Sequence, residues 1–296
     1  MSPGPPSSPQ RPHRPAGDAW FFAALGVMSG LYVVLIVAVL LADAVYMIAT
    51  DPVRPALEPE FVAAHPLAAR LLDNPIVAAL KKREIQYAIA LSLTSCTLTA
   101  IVSLWVAVPA GYLLARYRFP GRSLLDAVLD IPIVLPPLVI GLSLLILFQF
   151  APRAVREFVV YEIPAVVLAQ FMVACAFAVR TMQATFHLID PRREQVALTL
   201  GCNRSQAFWR VVLPEARRGM ITAGTLAWAR ALGEFGPLLI FAGATRMKTE
   251  VLSTTVFLEL SIGDLPAAVA VSLIMVVAAA VVLVVMRSAG SREWLF

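Results

Sequence analysis

Few side chains in this chain are equipped for chemistry. His13, His65 and His187 lie far apart, as do Cys96, Cys175 and Cys202, and none of them has metal-ligand spacing. Neither a metal centre nor a thiol-based site is expected. Asp126 and Asp130 stand at i, i+4, a spacing that would suit general acid–base work. They also sit near the start of an apolar run, four residues after Arg122, where negative charge favours a helix N-terminus. Arg230 and Glu234 share the same spacing inside an apolar run. At that depth they either neutralise one another on one helix face or serve a pore or gate. Arg180 and Arg246 would attract anions, or snorkel and be solvated in a loop. The glycine pair at P-loop spacing, Gly219 and Gly224, is followed by Thr225-Leu226 rather than Lys-Ser/Thr. No catalytic residue, metal site or bound cofactor is therefore expected of this chain.

These groups are positioned by an unusually apolar chain. Of 296 residues, 59% are hydrophobic and 15% charged, and the mean hydropathy is +0.80. Soluble domains average about 45–50% apolar and about 25% charged residues. A soluble enzyme is excluded, and the expected class is an all-α polytopic membrane protein. Apolar runs near the length that spans a bilayer cover 20–42, 87–115, 124–150, 163–187, 220–243 and 265–286, predicting about six transmembrane helices. The first contains Gly26-x-x-x-Gly30 and precedes Ala42-Asp43-Ala44, which resembles a cleavage site. Its 23 residues exceed the roughly 7–15 of a signal core, so it is read as a retained anchor. Pro109, Pro132, Pro136, Pro137 and Pro237 fall within runs, and Ile131-Pro132-Ile133-Val134-Leu135-Pro136-Pro137 predicts a bent or broken span of the kind that lines a cavity.

Six spans would put both termini on one side. With that side cytoplasmic, 13 of the 24 Lys and Arg residues fall inside and nine outside. Lys81-Lys82-Arg83 runs against this orientation; Arg116, Arg118 and Arg122, crowded into a short loop, support it. The net charge of +5 comes from such short clusters, which orient a membrane protein rather than bind nucleic acid. The expected organisation is a disordered Pro-rich cytoplasmic tail (1–19), an anchor helix (20–43), an extracytoplasmic segment that is either a small helical cap or a loop (44–84), a transmembrane domain (85–287) with a cytoplasmic loop at 190–214, and a short cytoplasmic tail (288–296).

The stretch 190–218 carries its own helix punctuation. Asp190-Pro191 makes an N-cap and first turn, Gly201 a C-terminal stop, and Asn203-Arg204-Ser205-Gln206 a second cap. Val196 and Leu200 share one face, with Arg192, Arg193 and Arg204 around it. Two short helices joined at a glycine either dock a partner or rest on lipid headgroups.

Glu194, then Gly201, nine residues, and Val211-x-Leu213-Pro214 resembles the EAA loop of importer-type ABC permeases. Here Gln195-Val196-Ala197 takes the place of the paired alanines, and Val211 that of an isoleucine. Trp228-Ala229-Arg230-Ala231-Leu232-Gly233-Glu234-Phe235-Gly236 is similar to the fifth span of molybdate, tungstate and sulfate permeases, and Leu129-Asp130-Ile131-Pro132 through Leu135-Pro136-Pro137 to their third. The likeness runs from about residue 92 to 286 and leaves out the tail and 44–84. It implies a type I ABC importer permease fold in the inner membrane. It also implies a permease homodimer, a separate ABC ATPase that binds ATP and Mg, and an external substrate-binding protein. The implied cargo is a tetrahedral oxyanion, molybdate before tungstate or sulfate, moved by alternating access; ferric iron, phosphate and thiamine are the alternatives. Glu194, Ala197, Gly201, Leu213 and Pro214 would couple to the ATPase, and Arg230, Gly233, Glu234, Gly236, Pro136 and Pro137 would form pore or gate. A secondary transporter would call for an inverted repeat and buried ionisable pairs across several spans, and the sequence displays neither.

Overall fold

A computed structural model describes residues 18–49 and 79–291. The expected tail at 1–17, most of the 44–84 segment and the last five residues lie outside the described residues. The chain divides into two compact units, Met1–Asp51 and Pro52–Phe296. The first holds one apolar helix, α1 (Asp18–Ala49), long enough to cross a bilayer. It is uninterrupted because 32 residues pass without a proline, and Gly26 and Gly30 are absorbed within it.

The second unit, among its described residues, is built of helices and connecting turns with no strand. Its elements are α2 (Arg83–Arg116), α3 (Arg122–Val134), α4 (Pro137–Gln149), α5 (Arg153–Val159), α6 (Ile163–Leu188), α7 (Pro191–Thr199), α8 (Arg204–Ala207), α9 (Leu213–Leu232), α10 (Leu252–Ser261) and α11 (Leu265–Ser291). The centre is α6, packed along α2 and α9; α11 lies against α9 and α10. Small residues make this close packing possible. Ser92, Ser95, Cys96, Thr99, Ala100, Ser103 and Ala107 form the buried stripe of α2, facing Ala165, Ala169, Ala174 and Ala178 of α6. Lipid tails are as apolar as leucine, so such helices associate through packing and polar pairing rather than water exclusion. One polar pairing is buried here: Thr99 donates to Gln170 Oε1 at 3.1 Å, and Gln170 donates to Cys96 Sγ at 3.7 Å.

Four described helices are long and apolar enough to span a membrane: α1, α2, α6 and α11. A fifth is counted if the bent pair α3–α4 is one span. Two of the six expected apolar runs are interrupted. The 124–150 run is broken at Leu135-Pro136 and turns through 112°, the break that its prolines predicted. Each half is 13 residues, about 20 Å, too short to cross alone. The 220–243 run stops being helical at Leu232, and a π turn (Leu238–Ala242) follows Pro237. Its helix, α9, also carries Arg217, Arg218 and Arg230, too many charges for a lipid-crossing window.

A second π turn (Phe208–Val212) joins α8 to α9, so helix runs without interruption from Arg204 to Leu232. The reason is Pro214. A proline inside a helix loses its own N–H bond and clashes with the carbonyl four residues back. The wider turn absorbs this, and Leu213 N bonds Phe208 O, five residues back.

Candidate functional site

The 190–214 element folds as its local chemistry dictates. Asp190 accepts from Arg192 N at 2.9 Å and opens α7, with Pro191 in its first turn. At the far end Cys202 N bonds Ala197 O and Gly201 N bonds Leu198 O, both at 3.1 Å, the reciprocal closure that needs a left-handed residue between them. Gly201 supplies it with φ +90°. The second cap is a complete capping box: Gln206 N donates to Asn203 Oδ1 at 2.8 Å, and Asn203 N to Gln206 Oε1 at 2.9 Å. Each such cap contributes about 1 kcal/mol, so this small element is rigid without relying on a core of its own.

Its faces differ. Ala197 and Glu194 are buried, whereas Val196 is 55% exposed and Leu200 80%. Leu213 is half-buried and Pro214 exposed, within the continuous helix. Glu194 points back into the protein. It accepts a hydrogen bond from the Tyr112 hydroxyl at 2.7 Å and lies 3.8 Å from Arg116 Nε, both at the end of α2. Arg116 also donates to Ile189 O at 2.9 Å, just before α7. Tyr112 packs edge-on against Phe186 of α6 and leans on Phe208. Arg193 pairs with Glu215, and Arg204 donates to the Tyr117 hydroxyl at 3.2 Å. The element is thereby clamped to α2, α6 and α9 while Val196, Leu200 and, beyond α8, the 63% exposed Trp209 face outward. Sequence reasoning missed Tyr112 and Arg116 as partners of Glu194. Their separation of about eighty residues leaves no local signal.

The residues singled out as pore or gate fall at the two broken segments, and these interlock. A Cβ on Gly141 would sit 2.7 Å from Pro237 Cα, and one on Gly236 3.0 Å from both Pro137 Cβ and Leu138 N. Each segment therefore presents a glycine to the other's proline. Pro136 forms the bend before α4. Gly233 stands apart: it is exposed, and an added Cβ would meet nothing closer than Ala229 O of its own helix at 3.8 Å. Arg230 and Glu234 are a pair, Nη1 to Oε2 3.0 Å, with the Glu234 side chain 1% exposed. The guanidinium also lies over the Phe177 ring, and Glu234 O accepts from Ser253 Oγ at 2.6 Å.

Arg180 is neither a snorkelling group nor a free anion attractor. It donates to Asp130 Oδ1 at 2.6 Å, to Asp126 Oδ1, to Asp126 O at 2.7 Å and to Gln183 Oε1 at 2.7 Å. Asp126 and Asp130 thus serve to fasten α3 to α6. Arg246 likewise bonds Glu259 Oε1 at 3.0 Å. Lys82, one of the basic residues that ran against the orientation count, is engaged by Asp264 at 3.0 Å and Glu259 at 3.6 Å. Lys82 and Glu259 approach at the start of α2, whereas Glu194 meets α2 at its end, about 50 Å of helix away. The two charge clusters mark opposite ends of the bundle.

Residues 107–291 match the family model described as the binding-protein-dependent transport system inner membrane component. The chain is 38% identical over 188 residues to the sulfate transport system permease protein CysT of Salmonella typhimurium, covering 62% of this chain and 68% of the relative. It is 34% identical over 203 residues to the molybdenum transport system permease protein ModB of Mycobacterium tuberculosis, covering 67% and 76%. The molybdate/tungstate transport system permease protein WtpB of Pyrococcus abyssi is 36% identical over 151 residues, covering 51% and 58%. Among solved structures, a bacterial ABC transporter involved in the import of alginate superposes with a TM-score of 0.68 over 94% of this chain and 96% of that one, at 14% identity. That likeness is one of fold.

Proposed function

Because the chain belongs to the family of binding-protein-dependent transport inner membrane components, the multi-pass ABC importer permeases of type I fold, we propose that it moves a tetrahedral oxyanion across the inner membrane, molybdate first, then tungstate or sulfate. The observation that carries this reading is the agreement of relatives between 34% and 38% identical, named for sulfate, molybdenum and molybdate/tungstate transport. The work is done by a separate ATPase, the cargo is delivered by an external binding protein, and a second copy of the chain completes the pathway. ATP and Mg belong to the ATPase.

The geometry supports a mechanical route for that drive. Val196 and Leu200 dock on the ATPase. Glu194, held by Tyr112 and Arg116, keeps α7 fixed to the bundle, so that movement of the docked face is movement of the helices rather than of a loose loop. The helix that begins at Arg204 is a rod of about 40 Å ending at Leu232. Directly beyond its end lies the Gly236–Pro137 and Pro237–Gly141 interlock. A tilt imposed at α8 therefore reaches the two broken segments with little lost in bending, and parting or closing them gates the path. Arg180 and Arg230 are both neutralised by carboxylates. Neither of these two is a bare fixed cation that would trap a crossing oxyanion, and selectivity is assigned to the binding protein.

Calorimetry on the partner binding protein with molybdate, tungstate and sulfate tests the cargo. Tight binding of at least one is expected. Binding of none of them, with ferric iron, phosphate or thiamine bound instead, would overturn the oxyanion assignment and leave the permease reading standing.

A further inference from the structure

At the end of the bundle opposite α7, the loop 244–251, α10 and the charged groups that pair with them bring together four acids, Glu162, Glu250, Glu259 and Asp264, and three cations, Lys82, Arg246 and Lys248. Glu250 and Glu259 are both fully buried, and each has one carboxylate oxygen, Oε2, without a hydrogen-bond donor. The surrounding cations are already engaged: Arg246 by Glu259, Lys82 by Asp264 and more distantly by Glu259, and Lys248 by Glu162 at the start of α6. From α2, Tyr87 reaches this loop by donating to Lys248 O at 2.8 Å, and Ser92 accepts from Leu252 N at 2.8 Å; neither offers Glu250 a charge. Glu250 is left as the carboxylate in excess.

Its one side-chain partner says more. Thr255 Oγ1 lies 3.1 Å from Glu250 Oε1 and 3.0 Å from Val251 O. A hydroxyl has a single hydrogen, and Val251 O can only accept. Val251 O already accepts from Thr255 N at 2.8 Å and Thr254 Oγ1 at 2.9 Å, so the Thr255 hydroxyl can donate to Glu250 Oε1, and it is Oε2 that is buried with no donor. An uncompensated carboxylate in such a place takes up a proton rather than remain charged.

We propose that Glu250, beside Glu259, is a proton-binding site of the 244–264 segment, and that loss of its proton loosens this segment from the start of α2. Burial first, and Glu259 as well, raise the Glu250 carboxyl above the usual carboxylate range, against the pull of Thr255, Arg246 and the Met247 backbone N–H. The folded protein then binds this proton more tightly than the unfolded chain. The associated stability is complete below the ordinary carboxylate pKa and is lost as pH rises through the folded value. Only the placement of this segment on the external face, where it would make binding-protein docking sensitive to external pH, rests on the importer reading.

Thermal unfolding of the full chain in detergent micelles, measured across mildly acidic to alkaline pH, tests the site without ATPase or cargo. The melting temperature should fall as pH rises. Glu250→Gln, which mimics the protonated acid, should flatten that dependence and melt at or above the parent at alkaline pH. Glu259→Gln should lower the melting temperature at every pH, because Arg246 loses its partner, and should move the pH-dependent fall to lower pH without abolishing it, because Glu250 stays buried. An infrared band of a buried protonated carboxyl should be present in the parent and missing in Glu250→Gln. A parent-like pH slope in Glu250→Gln, or flattening by Glu259→Gln instead, would overturn the assignment. Failure of the oxyanion reading would leave these results unchanged.

Discussion

Leu200→Glu should abolish transport while leaving the permease folded. The Leu200 side chain is 80% exposed and follows α7 directly, beside the exposed Val196, so the fold loses nothing by the change. In the proposed complex the same position is covered by the ATPase. An unpaired carboxylate forced into an apolar contact costs several kcal/mol, and even about 3 kcal/mol lowers association more than 100-fold. The expected result is an unchanged melting temperature, loss of co-elution with the ATPase in size-exclusion chromatography, and vesicle uptake below one hundredth of the parent. Normal co-elution and uptake would show that this face docks nothing.

The second large effect is expected at the interlock. Gly141→Leu would set a Cβ 2.7 Å from Pro237 Cα and 3.1 Å from Pro237 O, and backbone cannot give way as a flexible side chain can. Overpacking of this kind typically costs 1–3 kcal/mol, about 2–5 °C in melting temperature for a chain of this size. Because Pro237 belongs to the segment that follows α9, uptake should fall with stability even though neither residue touches the ATPase face. Gly233→Ala is the matched contrast. Both glycines flank the broken segments, yet an added methyl at Gly233 meets only its own helix at 3.8 Å. That variant should melt within about 1 °C of the parent, as surface changes usually do. Equal effects of the two substitutions would show that the interlock is not a tight contact.

The contrast also marks where sequence reading succeeds and where it stops. The 190–214 element was legible almost residue by residue, because caps are contacts between neighbours two to five positions apart: Asp190 with Arg192, Asn203 with Gln206, Cys202 with Ala197. The long helices α2, α6 and α11 were legible because length and apolarity alone define them. The 220–243 run misled for the same reason. Apolar composition continues past Leu232, but the backbone turns at a Gly-Glu-Phe-Gly-Pro stretch whose shape is set by the partner segment around Pro137. Charged residues were the hardest to assign. Arg180 has its partners on α3, Glu194 on α2, and Arg246 on α10, so only the folded chain reveals that these charges are paired. Glu250 was overlooked because an acid that closely follows Arg246 and Lys248 looks like solvated loop until its burial is seen.

As proposed, this chain is a driven gate: it carries a path but depends on a separate ATPase and a binding protein. The most direct measurement is accumulation of molybdate, tungstate and sulfate in sealed vesicles holding the purified permease. Each partner is then supplied or withheld in turn. Uptake of at least one oxyanion should require the ATPase, ATP and the binding protein together, and should persist when ion gradients are collapsed. Accumulation by the permease alone, driven by a proton or sodium gradient, would contradict the account.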